Sequence, residues 1–182
     1  MLRTICAVVA LVVNMSASAE PLYTKWSNVV HEMRADHVDI AHCVVGISSC
    51  REIDRQYLAL TEMARGADSV ASLRELNQTI DGLVTYKSDG EIDTWQRPLV
   101  TLEEGHGDCE DYAILKYALL WDGGFPPENL RLKISRGHAV LAVKIDDQWR
   151  VMGNHQSGLP LLTDYEAVKP TVATFAFEGV PN

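Results

Sequence analysis

Basic residues are scarce in this chain. It carries 16 Lys+Arg against 25 Asp+Glu, a formal net charge of −9, which argues against nucleic acid or anionic lipid as a partner and is compatible with cation binding. Long apolar runs are also missing: beyond the first residues no segment is long and apolar enough to span a bilayer. There is no internal repeat, low-complexity tract or long linker. A zinc-protease helix is absent too. His31, Glu32 and His37 lack the H-E-x-x-H spacing that stacks two imidazoles on one helix face, so His31, His37 and His42 read as surface residues. Cysteine is limited to four positions, and each has a separate meaning.

The single apolar run is N-terminal. Met1-Leu2-Arg3 supplies a positive charge, Ile5 to Val13 is apolar, and Ala17-Ser18-Ala19 is an A-x-A cleavage site. These are the three parts of a secretory signal peptide. Residues 1–19 are therefore expected to be removed, leaving residues 20–182 as one soluble, exported domain with 15 basic residues against 25 acidic ones. Cleavage takes Cys6 away. In an oxidising compartment Cys43 and Cys50 can close a small loop, with Gly46 easing the turn. Pairings with Cys109 stay open, although loop closure favours the local bridge. Cys109 is then an odd thiol in an exported protein.

Hydrophobic spacing divides the chain into helices first and strands after. Trp26, Val29, Val30, Met33 and Val38 predict a helix over 26–41, Ile53, Tyr57, Leu60 and Met63 a second ending at Gly66. Ser69 can cap a third through Leu73, Leu76, Ile80 and Leu83-Val84. Ser88-Asp89-Gly90 breaks the pattern, and the stretch to Gly107 reads as irregular. A fourth helix starts at Asp108, buries Ala113, Ile114, Tyr117, Leu120 and Trp121, and stops at Gly123-Gly124. Residues 130–135, 139–145, 149–152 and 171–177 read as strands, with Asp146-Asp147 as a turn. The expected class is α+β with an antiparallel sheet.

The segment Gly107-Asp-Cys-Glu-Asp-Tyr112 concentrates the chemistry. A cysteine in the first turn of a helix meets unpaired N–H groups and the positive end of the dipole, which favour the thiolate and can hold an oxyanion. The flanking acids work the other way, making the thiolate harder to form, and they also suit a plain helix cap. His138 opens the apolar run His138-Ala-Val-Leu-Ala-Val143, where an edge histidine can face a cleft and serve as base. His106 and His155 carry no such pattern. A buried structural cysteine remains the competing reading of Cys109.

Those residues belong to a longer likeness. Asp93-Thr-Trp95-Gln-Arg-Pro98, then Gly105-His-Gly-Asp-Cys-Glu-Asp-Tyr-Ala-Ile-Leu-Lys-Tyr117, then Gly123-Gly124-Phe125, Leu130 to Ile134 and His138 to Val143, closely resemble the bacterial transglutaminase-like cysteine proteinases. The helix Leu76-Asn77-Gln78-Thr79-Ile80 leading to Tyr86 joins the match, which runs from about Trp26 to Asn154. The resemblance implies a papain-like, transglutaminase-type fold and a Cys-His-Asp triad in a periplasmic, calcium-dependent endopeptidase. Such proteins cut a large surface adhesin near its N-terminus at dialanine-type sites and so control biofilm attachment. An inner-membrane cyclic-di-GMP receptor sequesters them through its periplasmic domain. By position, Cys109 becomes the nucleophile and His138 the base. Asp108 and Glu110 match the acidic pair associated with Ca2+, with Asp111 a further ligand. A hard dication wants several oxygens, and its charge would offset the repulsion on the thiol.

One position departs from the family pattern. Where the triad aspartate is expected, Arg150-Val-Met-Gly-Asn-His155 places Gly153. With a two-residue turn at 146–147, Gly153 shares the His138 face and Asn154 points to the other, unless a glycine bulge re-aims Asn154. Three outcomes follow: Asn154 completes a Cys-His-Asn site, a Cys-His dyad works alone, or the chain is an inactive binding module. Amidase or acyl-transfer chemistry is a further alternative, because fold does not fix reaction.

Overall fold

The computed structural model describes residues 21–135, 138–154, 163–164 and 173–175. The expected signal peptide, His155, and residues 171–172 and 176–177 of the expected last strand lie outside these.

Apolar residues three and four apart build the first three helices. α1 (Leu22–Val44) buries Trp26, Val29, Met33, Asp36 and Ile40. Val38 lies off that series and is exposed, so the inward stripe passes through Asp36 instead. α2 (Glu52–Arg65) buries Ile53, Tyr57, Leu60 and Ala64, and α3 (Val70–Leu83) buries Leu73, Leu76 and Ile80. Ser69 caps α3 as expected, its Oγ accepting the Ser72 N–H at 3.2 Å. Between α1 and α2 the bridge Cys43–Cys50 is formed, with Gly46 at φ 78°.

The stretch read as irregular holds order. Pro98 opens a short helix, α4 (Pro98–Glu104), which Gly105 ends at φ 66°. Two-residue strands β1 (Thr85–Tyr86) and β2 (His106–Gly107) then pair in parallel. α5 (Cys109–Asp122) differs from expectation in its burial: every residue from Cys109 to Leu120 is buried, not one face, while Trp121 is only partly covered. The cause is its place between α2, α3 and α4 and the strands β3 (Leu130–Ser135) and β4 (His138–Ile145). At its end, a Cβ on Gly123 would lie 2.9 Å from Ala64 of α2, so only glycine fits that crossing.

The sheet adds β5 (Gln148–Met152), β6 (Thr163–Asp164) and β7 (Ala173–Phe175) in the order β6-β5-β4-β3-β7, antiparallel throughout. Asp146 and Asp147 both adopt positive φ, 51° and 58°, the conformation whose twist matches a two-residue hairpin. The register Ile145↔Gln148 to Leu141↔Met152 follows from it. Leu130, Leu132, Ile134, Ala139, Leu141 and Val143 close the core against α5. The fold is α+β, with helices on an antiparallel sheet.

Candidate active site

Gly107 and Asp111 set up the head of α5. The Asp111 carboxylate is fully buried; Oδ2 accepts the Asp108 N–H at 3.0 Å and Oδ1 accepts the Gln96 N–H at 2.8 Å. Burial pushes its pKa up to about 7, against the lowering effect of those two N–H groups. A Cβ on Gly107 would stand 2.7 Å from the Asp111 side chain. The glycine of the motif is therefore the space that Asp111 occupies. Asp111 thus ties the 87–97 loop to the helix start, each of its oxygens accepting a backbone N–H.

Cys109 is the first residue of α5 and is buried. Its Sγ accepts the Ala139 N–H at 3.3 Å and donates to Glu110 Oε2 at 3.1 Å. Burial, with the Glu110 and Asp108 charges adding to it, pushes the thiol up to about 12, opposed by the Ala139 N–H. The acidic surroundings therefore act as the sequence implied. His138 starts β4 opposite Ser135, immediately before the residue that touches the sulfur. Its Nε2 is buried and has no hydrogen-bond partner among the described residues, and burial holds the imidazole below its ordinary pKa. The fold brings the cysteine helix and the histidine strand together without a thiol–imidazole bond among the described residues. Asn154 is buried just past β5, whose pairing with β4 ends at Met152.

The acids gather into two overlapping groups, each with ligand atoms within 4.8 Å of one another: Asp89, Asp93 and Glu110, and Asp108, Cys109 and Glu110. Glu110 belongs to both. Burial, then the Asp93 and Asp108 carboxyls, push its pKa up to about 9. Burial also raises Asp108. Burial works against ionisation of Asp93, but hydrogen bonds with Glu110 and Lys25 hold it below the usual range, with Lys25 Nζ at 2.7 Å. Asp89 accepts the Thr94 N–H. This oxygen-rich donor set fits a hard dication, which would relieve the mutual repulsion. Asp89 and Asp93 escape a reading of the motif alone, although the acidic spacing of the preceding loop was a signal available in the sequence.

A cysteine heading a buried helix, its sulfur set against a histidine-bearing strand of an antiparallel sheet, defines a transglutaminase-like cysteine proteinase architecture. The sequence model of the bacterial transglutaminase-like cysteine proteinases (BTLCP) matches residues 34–171, and the chain belongs to that family. Calcium-bound LapG of Legionella pneumophila is similar in structure, with TM-score 0.55 and 22% identity over 74% of this chain and 82% of that one. EGTA-treated LapG gives 0.53 and 21% over 72% and 77%. At that identity the likeness speaks for the fold. No curated protein matches.

Proposed function

We propose that this chain is an exported, calcium-dependent cysteine endopeptidase. Its substrate is a large surface adhesin, cut near the N-terminus at a dialanine-type site to control attachment, and its keeper is the periplasmic domain of a cyclic-di-GMP receptor. The observation that carries the reading is the 3.3 Å contact between Cys109 Sγ and the Ala139 N–H, which sets the nucleophile beside the His138 strand. Family membership supports peptidase chemistry, and the apolar N-terminal run with its A-x-A site supports export. No described helix is long and apolar enough to cross a membrane.

In this reading His138 takes the thiol proton as Sγ attacks the scissile carbonyl carbon. The N–H groups at the head of α5 hold the oxyanion, and the imidazolium returns the proton to the leaving amine. Water then cleaves the thioester. Asp89, Asp93, Glu110 and Asp108 would hold the cation. When bound, Ca2+ supplies positive charge beside a thiol that the acids otherwise discourage. The Glu110 carboxylate is shared between Cys109 Sγ and the Asp89/Asp93 group, so occupation of that group competes with its hold on the thiol. Asn154 orients His138 in place of the family's aspartate.

The thiol's bond to Glu110 rather than to the imidazole favours a second reading, a catalytically weakened or inactive member that binds without cutting. One experiment separates them. A dialanine-containing adhesin segment is incubated with wild type, Cys109→Ala and EGTA-treated protein. Cleavage by the calcium-loaded wild type only is the expected result. An intact segment in all three, with slow alkylation of Cys109, supports the binding module.

A further inference from the structure

Lys116 has no part in the chemistry above, yet it is completely buried. It lies on α5 two turns below Cys109. Its Nζ donates to Asp81 Oδ1 of α3 at 2.8 Å and to the Gly153 carbonyl at 2.9 Å. Asn77 Nδ2, also on α3 and also completely buried, donates to the same carbonyl at 3.1 Å. A buried ion pair is a poor stabiliser, since well-packed apolar residues often do as well or better. What an apolar pair cannot supply is a fixed donor for a backbone oxygen.

The location of that oxygen gives the arrangement its consequence. A strand carbonyl ordinarily lies in the plane of its sheet, directed at the next strand. The pairing of β5 with β4 stops at Met152, and one residue later the carbonyl is held by side chains of the helix layer. The Gly153 carbonyl belongs to the planar peptide joining residues 153 and 154, so gripping it fixes the N–Cα bond of Asn154 and leaves only rotation about that bond to aim the side chain. Had the ladder continued, Asn154 would stand opposite Ala139, on the face away from His138. Turning the peptide out of the ladder removes that restriction.

We propose that Lys116, anchored by Asp81 and seconded by Asn77, is a positioning residue that sets the Gly153–Asn154 peptide so that Asn154 serves His138. The proposal rests on the peptidase reading with Asn154 as orienter. Its test is a mutant cycle in the full mature chain. The double variant Lys116→Met/Asp81→Leu leaves neither charge buried alone. It is compared with Asn154→Ala and with the combination of the two. The readouts are the rate of Cys109 alkylation by iodoacetamide at fixed pH, and kcat and KM on the dialanine segment.

Asn154→Ala and Lys116→Met/Asp81→Leu are each expected to slow alkylation and kcat by roughly 10- to 100-fold, the scale of a misplaced reactive group, with KM unchanged. The combination is expected to be no slower than either. Losses that multiply in the combination overturn the proposal, as does either variant reacting at the wild-type rate. If Lys116→Met/Asp81→Leu does not fold, Asn77→Leu with and without Asn154→Ala gives the same comparison with a smaller loss. No Cys109-dependent cleavage in wild type, with alkylation losses that still fail to multiply, sinks the peptidase reading and leaves the positioning role standing.

Discussion

Gly107 owes its place to Asp111, whose carboxylate fills the volume a methyl group would take. Gly107→Ala must displace that side chain or the backbone it holds, and overpacking of this kind costs about 1–3 kcal/mol. Thermal or urea unfolding reads the loss; a wild-type midpoint would contradict it. The acids around Cys109 divide by the same kind of reasoning. Asp93 stands in the carboxylate group, whereas Asp111 spends both oxygens on backbone N–H groups. Asp93→Asn should weaken calcium binding by calorimetry while changing the melting temperature in EGTA little, because the exposed side chain gives up only its ion pair with Lys25. Asp111→Ala should lower the melting temperature even in EGTA. If both variants behaved alike, the division would be wrong. Asp108, Cys109 and Glu110 were legible in sequence because they are contiguous. Asp89 and Asp93 were visible only as acidic residues of the preceding loop; their approach to Glu110 depends on a loop path that Asp111 fixes through Gln96.

α1 is tied to α5 by a polar contact that periodicity could not announce. His37, read from the sequence as a surface residue, is half-buried with Nε2 2.9 Å from Asp122 Oδ2 and its ring 5.3 Å from that of Trp121. Tyr57 of α2 donates to the same carboxylate at 2.6 Å, so three helices meet at Asp122. The Asp122 carboxylate against Nε2 raises the His37 pKa above its ordinary value, against the opposing effect of burial. A raised histidine binds more protons folded than unfolded. Its contribution is therefore complete below the unfolded value of about 6.5 and is lost as pH rises through the folded one. Asp36, pushed up to about 6 mainly by burial, gives a fall of the same sign at lower pH. The readout is thus the difference between wild type and His37→Gln: the stability advantage of wild type should shrink above about pH 6.5. An advantage independent of pH would mean that His37 is not charged in the pair. The long elements were legible because their apolar spacing repeats. α4, β1, β2 and β6 are shorter than the repeat that would reveal them. The all-round burial of α5 was masked by Glu110, Asp111 and Lys116, which look like an outer face until α3, the 87–97 loop and Gly153 supply their partners.

The molecule as a whole holds its acids in a way that links stability to pH and, in the proposed reading, to calcium. Asp108, Glu110 and Asp111 all have raised pKa values, chiefly from burial, with Asp111 near 7 and Glu110 near 9. The folded chain keeps protons that the unfolded chain gives up above about pH 4. The sign is fixed by that excess: in EGTA, stability should fall as pH climbs from about 5 through 9. The excess of acidic over basic residues adds self-repulsion in the same direction. Under the calcium-dependent reading proposed above, calcium would reverse the balance, because it would bind the deprotonated carboxylates, and only where the fold assembles them. At low pH it must first displace protons; at high pH it meets charges already formed and in need of compensation. The rise in melting temperature produced by millimolar calcium should therefore be larger at pH 8 than at pH 5.5, and Asp93→Asn should reduce it at both. Magnesium should give a smaller rise, since it requires tighter octahedral geometry and surrenders its water reluctantly. Differential scanning calorimetry of the disulfide-intact chain over residues 20–182 measures all three. An equal calcium-induced rise at both pH values would remove the buried carboxylates from the binding site and return them to capping alone.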